Sequence, residues 1–580
     1  MEYSRYKDRE PRETIQLAKN ILESFNLECV ETIIHNPLKN VYSSRLDVPS
    51  LNFCVSGKGT TEDYCMASAY GEMMEKLLNV YFPSNFFYVS RYHHFSSFYD
   101  EVEFNLTTDL INLPNGILDD MRTSFYESDN RYPTIEELID VYQTKFGTPN
   151  ITTIPFYDVR NNCVTYLPEK IISSLAHSTG LSCGNTLEEA VSQAICEIFE
   201  RYAYTQIFVN NLTPPKISME YIVERCPDMV SIIEQFVSNG YELTFYDCSL
   251  GKKLPVVGLL LVNKHSGLYK LNFGSHISFN IAVERCLTEI LQGYDELSNI
   301  VVGMSKFSED FDGSWNSYYM RFRKNVGAVP KAFFMSKPSW QFDGWSHQYD
   351  SLTNKDVVRI LTNICLDLSS TVYIRNNSYG GLSAVRVYVP GVSYMKYIEP
   401  KGLYTKYDVE QRYILEGCDY DNIVIEDVSK YLNIVEANLG RIEKFVGIPN
   451  RILLAAIYYD MGDVQKSMKL LHAIEYKPQY INVILSILEC LDKKYSIDDI
   501  NSVLQSFFNE EDIKFGYFLL QGNFFQKLLV SRKSLNYSRK YYEGVEENTF
   551  SYVSAYIQKM KEQQVNQLDT SSILFVDLLS

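Results

Sequence analysis

The stretch SCGNTLEEAVSQAICEIFERYAY, residues 182–204, decides how the chain is read. Glu189, Gln193, Glu197 and Glu200 recur at spacings of four, four and three, which puts them on one narrow face of a helix. Around Glu197 and Glu200 the residues are Ala, Ile, Cys, Ile, Phe, Tyr and Ala. A surface helix carries its charges across a broad polar face, and this one has too few. It is predicted to be mostly buried, with its carboxylates turned into the protein or into a cleft.

Two other segments repeat the pattern. SGKGTTEDYCMASAYGEMMEKLLNVY, from Ser56, spaces Ser68, Glu72 and Glu75 four and three apart. FGSHISFNIAVERCLTEILQGY, from Phe273, spaces Arg285, Glu289 and Gln292 in the same way. A single E-x-x-E stripe is in most cases a solvated face; three in apolar settings weigh against that reading. A buried carboxylate is very costly unless paired, hydrogen-bonded or metal-bound, and converging stripes repel one another without cations between them. Lys76, Arg201 and Arg285 offset part of the charge. The remainder suits Mg²⁺, which takes a few carboxylates together with nucleotide phosphates. Gly57-Lys58-Gly59 and Gly184-Asn185 precede helices and are read as loops whose N–H groups favour phosphate. Lys58 is not part of a Walker A motif, because the G-x-x-x-x-G-K-[ST] spacing is absent. Cys183 precedes Gly184, but no His base is placed near it by sequence, so a structural thiol is the favoured reading.

The first 400 residues mix helix-period stretches with strand-like runs: YELTFYDCSL from Tyr241, LPVVGLLLVN from Leu254, LYKLNFGSH from Leu268 and SAVRVYVPG from Ser383. The expected class is α+β, a large sheet with packed helices over 1–400. Punctuation at Glu399-Pro400-Lys401-Gly402 begins an all-α domain over 401–580. Within it, ILLAAIYYDMGDVQKSMKLLHAIEYKPQY, from Ile452, has the rhythm of a tetratricopeptide-like helix pair, with plain helical packing as the alternative.

The whole-chain totals narrow the function classes. With 580 residues, two or more domains are expected. A net charge of -18 argues against a nucleic-acid backbone as partner. PVVGLLLV is too short to span a bilayer and reads as a buried strand, and the opening MEYSRYKDRE has no signal-peptide pattern. The 12 cysteines are scattered with no C-x-x-C pair, which points to a reducing cytoplasm. His93-His94 lie in a Tyr/Phe/Ser-rich segment and read as surface or structural.

These segments resemble the YcaO family. Its motifs S-x3-E-x-x-E, S-x6-E-x3-Q with E-x-x-E-R, and R-x3-E-x-x-Q match Ser68, Glu72 and Glu75; Ser182, Glu189, Gln193, Glu197, Glu200 and Arg201; and Arg285, Glu289 and Gln292. A V-P-G element stands at Val389, Pro390 and Gly391. The likeness extends to stand-alone members with a tetratricopeptide-like tail, in which an N-terminal Lys and Ser reach the nucleotide; here Lys7 and Thr14 stand at those places. Lys76 stands where the family has Arg, and SSILFVDLLS is unlike the Pro-rich segment typical of azoline-forming members, which favours the tailed subgroup or a thioamide-type use. The resemblance implies an ATP- and Mg²⁺-dependent enzyme that phosphorylates a peptide amide oxygen. It assigns Mg²⁺ to Glu72, Glu75, Glu197 and Glu200, and the nucleotide to Lys7, Thr14, Lys58, Ser68, Ser182, Glu189, Gln193, Arg201, Arg285, Glu289 and Gln292. Glu197, Glu200, Arg201 and Arg285 are the catalytic set. The tailed subgroup implies an accessory role in β-methylthiolation of a ribosomal protein, with a methylthiotransferase partner and a homodimer. Peptide maturation by cyclodehydration or thioamidation, and a nucleotide-responsive scaffold without turnover, stand as alternatives.

Overall fold

Val256–Asn263, the most apolar run, is the centre of a four-stranded antiparallel sheet ordered Leu268–Ser275, Val256–Asn263, Tyr241–Asp247, Lys216–Ile217. Successive side chains on a strand point to opposite faces. Val256 and Leu260 accordingly enter one core, while Val257, Leu259 and Leu261 enter another. The helix Leu187–Val209 belongs to the first core and the helix Phe279–Leu291 to the second, so each covers one face of this sheet.

This is a computed structural model; it describes residues 7–34, 38–51, 53–81, 98–123, 132–146, 149–292, 331–347, 352–394, 432, 444–445, 448–474, 479–531 and 539–565. The expected strand-rich layer is divided among three main antiparallel sheets. Val30–Ile34, Tyr42–Val48 and Phe53–Gly59 form a three-stranded sheet covered by the helix Glu62–Leu78. A six-stranded sheet runs Val102–Asn105, Asn150–Asp158, Tyr373–Asn376, Ser383–Tyr388, Leu181–Gly184, with Cys163–Pro168 added beside Asn150–Asp158. Gly57, Lys58, Gly59 and Gly184, read from sequence as loop residues, lie in strands. The helices after them start at caps further on, where Thr61 and Thr186 accept from Tyr64 N and Glu189 N.

Each of the three polar-striped helices follows a strand and packs its backbone against a glycine of that strand. A Cβ at Gly57 would lie 2.7 Å from Ala69 N, one at Gly184 2.7 Å from Ala190 N, and one at Gly274 2.9 Å from Cys286 N. The internal echo in the sequence is thus a repeated strand–helix unit closed by a glycine.

The chain divides into two compact units, 1–402 together with 545–580, and 403–544. The expected boundary at 400/401 falls outside the described residues, as do His93-His94 and the final ten residues. In the second unit, Asn450–Asp460 and Val464–His472 form the helix pair read at Ile452, and they share a core with Gln479–Asp492 and Phe524–Ser531. The helix Arg539–Val565, expected to belong wholly to the tail domain, has its residues from Val545 onward grouped with the first unit. Tyr552, Tyr556 and Lys559 hydrogen-bond Leu77 O, Leu78 O and Ser24 O there.

Gly274→Ala should lower stability by about 1–3 kcal/mol through overpacking. Gly71→Ala, in open space on the Glu62–Leu78 helix, should raise it by ~0.4–1 kcal/mol. Urea unfolding midpoints of the two variants check both signs.

Candidate functional site

The three striped helices bring charged residues into one half-buried cluster, in which Lys58, Glu72, Glu197, Glu200 and Arg285 feel one another's charge. Ser68, Glu72, Glu75, Gln193, Glu197, Glu200, Arg285, Glu289 and Gln292 are all half-buried, whereas residues around them on the same helices are buried. Side chains of the ion pairs lining it keep only 15–33% exposure. Each touches water on one side and protein on the others, so desolvation acts strongly on groups that are still reachable.

Cross-links tie the three helices together. Lys58 pairs with Glu289, joining the first strand–helix unit to the third. Gln292 Nε2 donates to Ser56 O at 2.7 Å across the same junction. Arg285 donates to Gln193, joining the third unit to the second, and to Ser275 O at 2.6 Å. Arg201 pairs with Glu197 at 2.5 Å and donates to Thr179 Oγ1 at 3.0 Å. Lys76, at the family's Arg position, pairs with its neighbour Glu75.

The N-terminal segment closes one end. Lys7 Nζ lies 2.9 Å from Glu189, whose other oxygen accepts from Asp8 N at 3.1 Å and from Asn185 Nδ2 at 3.0 Å. Thr14 Oγ1 donates to Asn185 Oδ1 at 2.7 Å. Lys7 and Thr14 therefore reach the second unit's helix start, where Asn185 is the hub. The sequence marks Asn185 only for the N–H groups of its loop and not for its side chain, and Asp8 went unassigned although it adjoins Lys7. His276 also went unassigned; it is buried, close enough to Arg285 and Lys7 to feel both charges, and its Nδ1 accepts from Ser278 N at 2.9 Å. Nothing in its local sequence marks it.

The carboxylates share one electrostatic field. Burial, reinforced by Glu197 and Glu72, pushes Glu75 up to about 8 against the pull of Lys76. Glu200 rises to about 7 through burial, and Glu72 is raised by the same cause. Lys58 falls to about 8 because burial outweighs the attraction of Glu200 and Glu72. Burial also works against charge on Lys76, but Glu75, Glu72 and Glu197 outweigh it and raise this group. Glu189 goes the other way: burial opposes its charge, yet Lys7, Asp8 N and Asn185 hold it below the usual carboxylate range. Burial together with Glu75 and Glu189 pushes the Cys183 thiol far up, so it supplies no thiolate at neutral pH.

As placed, no three His, Cys, Asp or Glu side chains among the described residues stand close enough to hold a metal ion. Glu75 and Glu197 are engaged by Lys76 and Arg201 instead. The donor set nevertheless fits Mg²⁺: hard carboxylate oxygens from two helices, mutually repelling, with cations around them. Ser182 Oγ, buried and without a hydrogen-bond partner, is an orphaned polar atom among the residues assigned to the nucleotide.

A family profile described as YcaO cyclodehydratase, ATP- and Mg²⁺-binding, matches residues 56–393, more than half of the chain and all three striped units. The chain belongs to the YcaO family. ATP and Mg²⁺ are thus the cofactors of its family. It is 30% identical over 390 residues to the ribosomal protein S12 methylthiotransferase accessory factor YcaO of Escherichia coli (strain K12), covering 67% of this chain and 65% of that protein. It is 28% identical over 440 residues to an uncharacterized protein of Haemophilus influenzae, covering 73% of this chain and 72% of that one. Among solved structures, a heterocyclase in complex with substrate and cofactor aligns at 19% identity and TM-score 0.49, over 67% of this chain and 53% of that one. YcaO from Methanopyrus kandleri bound with AMPPCP and Mg²⁺ aligns at 16% identity and TM-score 0.42, over 68% and 95%.

A carboxyl raised in the folded state keeps its proton while the unfolded chain loses it, so stability falls as pH rises between the two values. For Glu75 and Glu200 that window runs from about 4.5 to about 8 and from about 4.5 to about 7. The melting temperature of metal-free protein should therefore drop from pH 5 to pH 8, and Glu75→Gln should flatten the drop. Mg²⁺, which competes with those protons, should raise the melting temperature more at pH 8 than at pH 5.5 in differential scanning calorimetry.

Proposed function

We propose that the chain uses Mg²⁺-ATP to phosphorylate the oxygen of a peptide backbone amide, making that oxygen a leaving group. The observation that carries this reading is the cluster of Glu72, Glu75, Glu197 and Glu200, in which burial, with repulsion from neighbouring glutamates added, raises Glu72, Glu75 and Glu200. Such a cluster is stabilised when divalent cations replace protons. These four glutamates would hold Mg²⁺. Lys7, Thr14, Lys58, Ser68, Ser182, Glu189, Gln193, Arg201, Arg285, Glu289 and Gln292 would form the nucleotide site, with the cations against the phosphates.

When bound, the Mg²⁺-nucleotide supplies the phosphoryl group and screens its charge. The chain's own work is positioning and charge stabilisation. Arg201 is held at Thr179 and Arg285 at Ser275 O, so both guanidiniums are fixed before a substrate arrives. Lys58, lowered to about 8 by burial, is a cation that gains most from a nearby anion.

The likeness to the Escherichia coli ribosomal protein S12 methylthiotransferase accessory factor favours an accessory function beside a methylthiotransferase; a cytoplasmic homodimer is part of the proposal. No helix of the described residues is long and apolar enough to cross a membrane. Cyclodehydration or thioamidation of a ribosomally made peptide is the second reading, favoured by the family description.

Glu197→Ala and Glu200→Ala should abolish Mg²⁺-ATP binding in calorimetric titration while circular dichroism stays unchanged; wild-type affinity in both variants rejects the assignment. Phosphate release by the full chain should rise with a peptide or ribosomal protein S12 present. Nucleotide binding with no release against any of a peptide panel would leave the scaffold reading instead.

A further inference from the structure

We infer that the C-terminal helix is a positioning element of the glutamate site: Tyr552 and Tyr556 clamp the last turn of the Glu62–Leu78 helix, the turn that carries Glu75 and Lys76. The inference rests on the assignment of Glu75 to the Mg²⁺ site made above.

The last four carbonyls of a helix have no partner within it and must find one elsewhere. Here they run from Glu75 to Leu78. Glu75 O accepts from Asn79 Nδ2 at 2.8 Å, and Lys76 O from Tyr81 N at 2.8 Å. Leu77 O accepts from Val80 N at 3.0 Å and from Tyr552 Oη at 2.9 Å. Leu78 O accepts from Tyr556 Oη at 2.7 Å. The far end of the sequence thus supplies the partner of Leu78 O and a second donor to Leu77 O. Both tyrosines are enclosed, at 3% and 0% exposure, so the bonds are shielded from water.

The turn itself is under strain. Tyr81 N to Lys76 O and Val80 N to Leu77 O form a Schellman closure, whose residue after the cap adopts the left-handed conformation and is usually Gly. That residue is Val80, with φ 51°, a conformation that a β-branched side chain adopts at a cost. Strain of this kind persists only where surrounding structure holds it. The holding contacts are the two tyrosines, Asn377 Nδ2 on Asn79 Oδ1 at 2.8 Å, and the ring of Phe25, edge-on to Tyr552 at 5.0 Å. The site's Glu75–Lys76 pair thus sits on a strained helix end that would fray without its clamp. The tyrosines touch neither substrate nor cofactor; they act through the placement of Glu75.

Tyr552→Phe, Tyr556→Phe and the double variant keep the rings and remove only the hydroxyls. In full-length protein holding a non-hydrolysable ATP analogue, Mg²⁺ titrated by calorimetry should bind about fivefold more weakly in each single variant and more weakly still in the double. Amide hydrogen exchange at residues 77–80 should speed up in step. Asn548→Ala removes the same helix's exposed bond to Ser50 O (3.1 Å), away from the clamp and from the glutamate helix, and Mg²⁺ affinity should stay at the wild-type value. Wild-type Mg²⁺ affinity in the double variant, or an equal loss in Asn548→Ala, overturns the positioning role. If wild-type protein takes up no Mg²⁺ with the analogue, the site assignment fails instead. Exchange then decides the clamp alone, and unchanged exchange at 77–80 in the double variant refutes it.

Discussion

Like-charge repulsion in a poorly solvated hollow is the constraint around which this domain is organised. Burial first, and then the charge of neighbouring glutamates, makes Glu72, Glu75 and Glu200 resist ionisation. Coulomb repulsion that water would screen at a surface grows several-fold where protein replaces solvent. Such a cluster survives folding only if cations and hydrogen-bond donors are fixed among the acids. Lys58, Lys76 and Arg201 each pair with one glutamate of the hollow, and Arg285 adds its field from the third helix.

Fixing those cations demands a rigid frame, and the frame is the thrice-repeated strand–helix unit. A glycine in each strand lets the following helix backbone sit directly on it, so the helix axis is set by close backbone approach as well as by side-chain packing. Much of the remaining circumference is filled with buried Ala, Cys, Ile, Met and Leu, while the polar stripe stays half-buried. Cross-links from Lys58 to Glu289, Gln292 to Ser56 O and Arg285 to Gln193 then register the units against one another. Packing fixes where each helix lies; the polar contacts fix how the stripes meet.

Much of this was legible because helical periodicity survives burial. The spacings four and three at Ser68–Glu72–Glu75 and Gln193–Glu197–Glu200, in apolar surroundings, identified the stripes without any fold. The central strand at Val256–Asn263 was equally plain, since a run buried on both faces is apolar throughout. The glycines were misread as loop residues because a glycine needed for close approach looks, in sequence, like one needed for a turn; only the third dimension tells that Gly57 meets Ala69. Which cation takes which acid was also hidden. Lys58 and Glu289 are 231 residues apart, and no local pattern couples them. His276 and the side chain of Asn185 matter through neighbours supplied by other segments; Gly184-Asn185 was marked only as a loop, and nothing local marked His276.

The destination of the last helix was illegible for a related reason. Its residues 545–565 follow the 403–544 unit in sequence and share its helical periodicity, yet they pack with the first unit. Amphipathic pattern states that a face will be covered, not by what. What singles these residues out is chemical: Tyr552 and Tyr556 are one turn apart, and a tyrosine buried to 0% exposure needs a partner for its hydroxyl. Leucines would serve packing alone at lower cost. The hydroxyls are explained by the carbonyls they reach, and those carbonyls end the helix that bears Glu75. Lys76 sharpens the point. An arginine there would offer a forked guanidinium able to span small errors in helix position, whereas a lysine presents a single ammonium. A chain that places Lys next to Glu75, on a turn closed by a left-handed valine, has traded tolerance for dependence on the elements that hold the turn in place.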